Sequence, residues 1–139
     1  MKIATAAYPL DVLTSWAQYE DKLAGWVAQA AGQGAELLVF PEYGAMELAT
    51  LDGLEVAGDL ERSLFAVSDR LADADAVHVR LAAEYGVHIV AASAPAATET
   101  RPVNRARLIT PTGQIGVQDK QIMTRFEEEV WDVVPGNPL

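Results

Sequence analysis

Residues 36–43, Glu36-Leu37-Leu38-Val39-Phe40-Pro41-Glu42-Tyr43, are the stretch from which the fold is predicted. Four consecutive apolar residues, 37–40, are typical of a strand buried on both faces, as in parallel sheets. Pro41 has no amide hydrogen to donate to a sheet ladder, so we expect the strand to end there. Glu42 then follows the carboxyl end of the strand, where α/β sheets place their chemistry. This makes Glu42 a candidate general base; alternatively, it caps the next turn or pairs with a surface lysine.

Length, composition and charge limit the possible functions. The 139 residues correspond to one domain at most, or to part of one. Half of them are hydrophobic and 22% are charged, which is sufficient for a packed core. The formal net charge of −10 argues against nucleic acid and anionic membrane as partners, because it repels their phosphate groups.

The sequence contains no cysteine. This excludes a disulfide scaffold, a thiolate metal site and a cysteine nucleophile within these residues. The apolar run at residues 1–7 is too short for a signal peptide, and no run approaches the ~20 residues of a membrane span. We therefore expect a cytoplasmic protein. His88 has an apolar context, which favours a structural histidine over a metal ligand.

The segments around residues 36–43 predict alternating strands and helices. We expect a strand at 2–7, a helix from Thr14 or Ser15 to Ala31, and a loop with about one helical turn at 44–58. Further on we expect helix at 60–85, either continuous or broken at 73–75, a strand at 87–93, and a hairpin of 103–109 and 114–120. A helix between the first two strands makes them parallel, through a right-handed crossover. This order predicts an α/β fold with helices covering a mostly parallel sheet.

Lys120 is a second candidate site residue, because it ends the second strand of the predicted hairpin. Acidic and aromatic residues follow it at 126–131. Lysine is rarely buried without a partner, so a nearby carboxylate would keep Lys120 charged. Such a cation stabilises a developing oxyanion, while a neighbouring carboxylate transfers protons. The alternative is a solvated edge-strand lysine that discourages pairing between sheets.

Four stretches in this order resemble the nitrilase-like carbon–nitrogen hydrolases, and together they cover nearly the whole chain. Phe40-Pro41-Glu42-Tyr43 resembles the first signature of that family. Asn104-Arg105-Ala106-Arg107-Leu108-Ile109, running into Thr112-Gly113, resembles its hairpin. Lys120 followed by Met123-Thr124-Arg125-Phe126-Glu127 resembles its lysine signature. The strand Ile3-Ala4-Thr5-Ala6 with its long helix also fits.

The resemblance implies an α-β-β-α sandwich that hydrolyses a nonpeptide C–N bond without a metal or an organic cofactor. In that family a Glu, a Lys and a Cys act together, and the thiolate forms an acyl-enzyme. By position Glu42 carries over as the general base and Lys120 as the oxyanion-stabilising cation. A second family glutamate positions the lysine and the substrate. Glu127 is favoured for this role and Glu128 is the runner-up. Tyr43 and Glu128 are expected to contact substrate.

This sequence departs from the family pattern in one respect, because the family cysteine lies beyond the lysine segment and is absent here. Residues 1–139 are therefore expected to form the N-terminal part of a single carbon–nitrogen hydrolase domain. Its nucleophile would come from a missing C-terminal half or from a companion chain. Without that half, the apolar sheet face is expected to cause association.

Two functions are compatible with these features. The first is hydrolysis of a small amide or nitrile by a protein that is commonly a homo-oligomer in this family. The second is a non-catalytic module that keeps the fold and binds a partner or a small molecule, which the absent cysteine favours.

Overall fold

The computed structural model describes residues 1–138, and it has a single five-stranded sheet with its strands in sequence order. The first three strands are parallel and the last two continue the sheet antiparallel. The α/β prediction is thereby confirmed. The strands are β1 (Ile3–Thr5), β2 (Leu37–Val39), β3 (His88–Ala96), β4 (Val103–Ile109) and β5 (Ile115–Asp119).

Helices connect and cover the parallel part of the sheet. They are α1 (Trp16–Gly32), a 3₁₀ helix (Gly44–Asp52), α2 (Leu54–Ala57), α3 (Leu60–Ser68), α4 (Leu71–Tyr85) and a π-helical turn (Glu127–Trp131). Among residues 1–138, no helix combines the length and the apolar character needed to cross a membrane.

Helix α1 begins and packs as its sequence predicts. Ser15 is the N-cap, and its side chain accepts a hydrogen bond from the Gln18 amide. Tyr19, Leu23 and Val27, spaced by four residues, are buried. The spacing places them on one face, which packs against the sheet and α4.

Three predicted boundaries are wrong. Residues 44–58 are a 3₁₀ helix and a short α-helix instead of a loop with one turn. The long helical region breaks before Leu71, not at residues 73–75. Asp73 lies in the first turn of α4, where a carboxylate is favourable, so the acids begin this helix instead of interrupting it. Strand β3 runs to Ala96, because residues 94–96 pair with β4 beyond an irregularity in the ladder.

The main hydrophobic core lies between the sheet and the helices α1 and α4, and a smaller cluster is formed by Leu64, Met123 and Val133. His78 on α4 is buried in the main core, and the pKa of its imidazole is lowered to about 4, mainly by desolvation. His88 is exposed, so the expectation that it is a buried structural histidine is wrong. The buried histidine is His78. Apolar neighbours in sequence do not imply that His88 is buried, because alternate residues of β3 point to opposite faces of the sheet.

The opposite face of the sheet has no helical layer in residues 1–138. Val39 and Val90 are half-buried on this face, and Leu108, in register with Val90, is exposed. The described chain thus provides one sheet and one helical layer of the α-β-β-α arrangement.

Candidate active site

A tight turn after β2 sets the position of Glu42. The Phe40 amide still pairs with Val90 of β3, and the chain turns at Pro41, whose carbonyl accepts from the Gly44 amide. A Cβ atom on Gly44 would lie 2.9 Å from the Cβ of Ala92, so only glycine allows this close approach to β3. Tyr43 has a left-handed backbone with φ of 56°. This conformation is uncommon for a residue other than glycine and is enriched at functional sites.

Asn104 and Lys120 enter the site from neighbouring strands. The Lys120 amide donates to the Asn104 carbonyl at 2.9 Å, which extends the β4–β5 ladder by one residue. Residues paired across strands project their side chains from the same face. Both side chains therefore reach the open face of the sheet, where Glu42 arrives from β2.

Glu127 is held by a capping box at the start of the π-helical turn. The Thr124 amide and hydroxyl both donate to Glu127 Oε2 at 2.8 Å, and the Thr124 hydroxyl accepts from the Glu127 amide at 3.3 Å. This reciprocal pattern is the usual consequence of a Thr-x-x-Glu sequence. These local hydrogen bonds orient the Glu127 carboxylate independently of its contacts with more distant residues.

Lys120 bridges two carboxylates. Its Nζ lies 2.7 Å from Glu42 Oε1 and 2.8 Å from Glu127 Oε2. Hydrogen bonds to Glu127 and then to Glu42 raise the pKa of the Lys120 ammonium, so it is charged at neutral pH. The side chain of Glu42 is 57% exposed, whereas Glu127 is 2% exposed. The two carboxylates thus share one cation but differ in access to solvent.

Glu127 is ionised at neutral pH. Burial opposes its ionisation, but hydrogen bonds from Lys120, Tyr43 and Thr124 prevail and lower the pKa of its carboxyl to about 2. Conversely, desolvation and the hydrogen bond to Glu127 raise the pKa of the Tyr43 hydroxyl. Tyr43 is therefore a neutral donor at 2.7 Å from Glu127 Oε1.

Asn104 is a site residue to which the sequence analysis assigned no function. Its Nδ2 donates to Glu42 Oε1 at 2.9 Å and to Glu127 Oε1 at 3.3 Å, and the residue is buried. Asn104 Oδ1 is also buried and has no hydrogen-bond partner within residues 1–138. The reverse amide orientation would direct Oδ1 at two carboxylates, so repulsion fixes the orientation seen. The local sequence offered no clear signal for this role, because β4 also carries the polar residues Arg105 and Arg107.

The structure brings Glu42, Lys120, Glu127 and Tyr43 together and leaves Glu128 apart. Glu128 is exposed on the π-helical turn, next to the buried Glu127. Its amide donates to the Thr124 carbonyl.

Two clefts meet at Glu42. The first, here the sheet cleft, has a volume of about 410 Å³. It lies over the open sheet face and is lined by Val90, Ser93, Asn104, Ala106, Gln118 and Lys120. The second, here the apolar cleft, has a volume of about 450 Å³. Its wall includes Tyr8, Leu10, Met46, Ala57, Leu60 and Trp131. Of residues 1–138, only Glu42 lines both clefts.

Solved structures share this fold at low sequence identity. A carbon–nitrogen hydrolase from Helicobacter pylori matches with a TM-score of 0.69 and 19% identity, over 97% of this chain and 44% of its own. A double mutant of the amidase from Nesterenkonia sp. AN1, in complex with acrylamide, matches with a TM-score of 0.66 and 21% identity, over 99% and 49%. A carbon–nitrogen hydrolase superfamily protein from Xanthomonas campestris, with an arsenic adduct in its active site, matches with a TM-score of 0.58 and 21% identity, over 99% and 44%.

The chain thus spans about half the length of the solved structures that it matches. None of the curated proteins compared with the chain matches it. The sequence profile of the carbon–nitrogen hydrolases matches residues 2–137, which is nearly the whole chain. The chain belongs to the carbon–nitrogen hydrolase family.

Proposed function

We propose that this chain supplies the general base and the oxyanion-stabilising cation of an amidase or nitrilase, with Glu42 and Lys120 in these roles. The observation that carries the proposal is the Lys120 ammonium, which bridges Glu42 and Glu127 at 2.7 and 2.8 Å beside an open cleft. The substrate class is small amides or nitriles. The structure of the Nesterenkonia amidase in complex with acrylamide supports an amide as the substrate.

Glu42 suits the role of base because one of its oxygens is free. Its Oε1 accepts from Lys120 and Asn104, while its Oε2 accepts no hydrogen bond within residues 1–138. The side chain is also exposed enough to meet a substrate and a nucleophile. A base must come within hydrogen-bond reach of the proton that it removes, and Glu42 lines both clefts.

Lys120 suits the role of cation because Glu127 keeps it in place when Glu42 takes up a proton. If Glu42 became neutral, Lys120 would retain an ionised partner at 2.8 Å. Glu127 therefore acts as the positioning residue for Lys120. The ammonium then stabilises negative charge that develops on a substrate oxygen in the sheet cleft.

The nucleophile has to come from outside these 139 residues, which contain no cysteine. We propose that a C-terminal half or a companion chain contributes it. A solved structure of the Nesterenkonia amidase has acrylamide added to its active-site cysteine, which supports a thiolate at this site. We further propose that residues 1–139 are the N-terminal part of one domain.

For an amide, we propose an acyl-enzyme route in which Glu42 carries each proton. Glu42 removes the thiol proton, and the thiolate attacks the carbonyl carbon while Lys120 stabilises the oxyanion. Collapse breaks the C–N bond, and Glu42 gives its proton to the departing ammonia. Water then attacks the acyl-enzyme with Glu42 again as base, which releases the acid and the thiol.

The test is ammonia release from small amides and nitriles. The 139-residue chain alone is expected to show background rates, and a longer reading frame or a companion chain that restores a cysteine is expected to show activity. In that protein Glu42→Gln and Lys120→Ala should each lower kcat at least about 100-fold. Glu55→Gln, at an exposed glutamate outside the site, is the matched control. Unchanged rates in Glu42→Gln and Lys120→Ala would refute the proposal.

Tyr43 and Glu128 remain proposed substrate contacts. The Tyr43 ring lines the apolar cleft, which supports contact through its face while its hydroxyl holds Glu127. Glu128 is exposed, so we propose that it faces a substrate only in the complemented protein. Glu128→Gln should then raise KM without lowering kcat. Glu127→Gln should lower kcat.

The second candidate function is a non-catalytic binding module, which the absence of cysteine favours. For such a module, Lys120→Ala and Glu42→Gln would leave binding of its ligand intact. For either function we propose a cytoplasmic homo-oligomer that binds neither nucleic acid nor membrane. The net charge of −10 supports the last two points.

A further inference from the structure

We infer that the substrate of the proposed amide hydrolysis carries an uncharged, apolar acyl group, which lies in the apolar cleft beside Glu42. This inference rests on the proposed function and specifies its substrate.

The walls offer mostly carbon surface, and Glu42 is the one charged residue among those of residues 1–138 that line the cleft. Leu10, Met46 and Leu60 line the cleft together with Trp131. The hydroxyls in the wall are already used inside the protein. Tyr8 donates to Glu47 at 2.6 Å, Tyr43 donates to Glu127 at 2.7 Å, and Ser63 donates to the Leu60 carbonyl at 3.4 Å.

Within residues 1–138, no lysine or arginine lines the cleft, so an anion gains no partner there, and Glu42, the carboxylate in its lining, already binds Lys120. Asp11, next to Leu10, pairs with Lys22 at 2.8 Å, and Glu61, next to Leu60, pairs with Arg101 at 2.6 Å. An anionic acyl group would lose its hydration in this cleft without compensation, and a cationic one would compete with Lys120 for Glu42.

The cleft is large enough for a medium-sized acyl group and has a preformed wall. Its volume of about 450 Å³ lies in the range of small-molecule sites. Trp131 packs against Tyr43 and Phe126 with ring centroids 5.0 and 5.1 Å apart. Arg101 donates to the Trp131 carbonyl at 3.0 Å, which ties the π-helical turn to the body of the protein.

The position of Glu42 connects this cleft to the chemistry. Because Glu42 lines both clefts, an amide group that reaches Glu42 and Lys120 from the sheet cleft can extend its acyl chain into the apolar cleft. A short acyl group such as acetyl would leave most of the apolar wall uncovered. Each methylene buried there tightens binding by roughly fourfold.

The experiment measures binding to the 139-residue chain, in which no cysteine turns the ligand over. The probes are acetamide, hexanamide, adipic acid monoamide and 6-aminohexanamide, and ligand-observed NMR gives their Kd values. Hexanamide is expected to bind at least about tenfold tighter than acetamide and than either charged analogue. Equal affinities of hexanamide and acetamide, or of hexanamide and the monoamide, would overturn the inference.

A charge placed in the cleft provides a second test. Leu60→Lys should weaken the binding of hexanamide and strengthen the binding of adipic acid monoamide, each by about fivefold or more in Kd. Leu60 is 50% exposed, so the variant is expected to fold, which far-UV circular dichroism checks. Leu54→Lys is the matched control, at a leucine that is 65% exposed and lies outside the cleft. An equal effect of both variants contradicts the assignment of the cleft.

Ammonia release by the cysteine-complemented protein separates the two proposals. Hydrolysis of acetamide and hexanamide with equal kcat/KM would overturn the acyl-group inference and leave the proposed function standing. Tight binding of hexanamide to the chain, with no ammonia release after complementation, would overturn the proposed function and leave the cleft supported.

Discussion

The Tyr43 hydroxyl donates a 2.7 Å hydrogen bond to Glu127 Oε1, which joins the turn after β2 to the π-helical turn near the end of the chain. Glu127 also accepts from Lys120, Thr124 and Asn104, so both of its oxygens are occupied. Glu42 binds the same ammonium with one oxygen and exposes the other. The two carboxylates are therefore not equivalent, because both oxygens of Glu127 accept hydrogen bonds whereas one oxygen of Glu42 accepts none within residues 1–138.

The first prediction is that acid destabilises the chain through Glu127. Folding lowers the pKa of this carboxyl from 4.5 to about 2. A lowered carboxyl pKa stabilises the folded state above the unfolded pKa, and this stabilisation is lost as the pH falls from about 4.5 to about 2. We expect a loss of at most about 3 kcal/mol in the free energy of unfolding over that window, measured by urea denaturation.

The variant Glu127→Gln should be less stable than the wild type at neutral pH and lack most of this acid dependence. Glu128→Gln, at the exposed neighbouring position, should change the free energy of unfolding by less than about 0.5 kcal/mol. If wild type and Glu127→Gln lost stability in parallel between pH 5 and pH 2, another group would be responsible.

The second prediction concerns Asn104→Asp and has the opposite pH dependence. The substitution replaces a donor by a carboxylate 2.9 Å from Glu42 and 3.3 Å from Glu127. Repulsion raises the pKa of the new aspartate in the folded state, so the variant loses stability as the pH rises above about 4. We expect a deficit of about 3 kcal/mol at neutral pH, from urea denaturation.

Asn137→Asp is the control for this variant, because it makes the same change from amide to carboxylate at an exposed position. A uniform deficit for Asn104→Asp at every pH would indicate a packing defect instead of repulsion between carboxylates.

The sequence predicted those elements of the fold whose signals are local. The apolar run before Pro41 gave β2, and Thr110-Pro111-Thr112-Gly113 gave the hairpin turn between β4 and β5. Ser15 gave the start of α1. The family resemblance, not the local pattern, implied that Glu42 and Lys120 share one site, and they do make contact.

Contacts that depend on tertiary structure could not be predicted in this way. Tyr43 meets Glu127 across 84 residues, and nothing in the local sequence indicates that contact. Glu47 sits in a 3₁₀ helix of mostly apolar residues, yet it is buried and paired with Lys22 of α1. The pattern around residue 47 was ambiguous because a paired acid can occupy a core position that usually requires an apolar residue.

The third prediction is that Lys22→Met destabilises the chain strongly. Lys22 Nζ lies 2.5 Å from Glu47 Oε2, and Glu47 is buried beneath Tyr8. Loss of the ammonium leaves a buried carboxylate without its countercharge, which costs about 3–5 kcal/mol. Urea denaturation measures the effect, and Lys2→Met, at an exposed lysine, is the control.

The double variant Lys22→Met/Glu47→Gln should recover at least half of that loss, because it removes the uncompensated charge and keeps the acceptor for Tyr8. Equal stabilities of the single and double variants would show that lost packing of the Lys22 stem, not an unpaired charge, causes the effect.

The fourth prediction is that the open face of the sheet drives self-association of the isolated chain. Leu108 is 42% exposed on this face, beside the half-buried Val90, and no helical layer of residues 1–138 covers it. A contiguous apolar face of this kind favours binding to another surface. The wild-type chain should elute from gel filtration larger than a compact monomer and bind a hydrophobic dye. Leu108→Lys should shift it towards the monomer and lower dye binding by about half, since the charge must stay hydrated.

Leu54→Lys, at an exposed leucine on α2, introduces the same charge away from the sheet and should change neither readout. A compact wild-type monomer that binds no dye would contradict the prediction, because the face would then be stable in water without a partner.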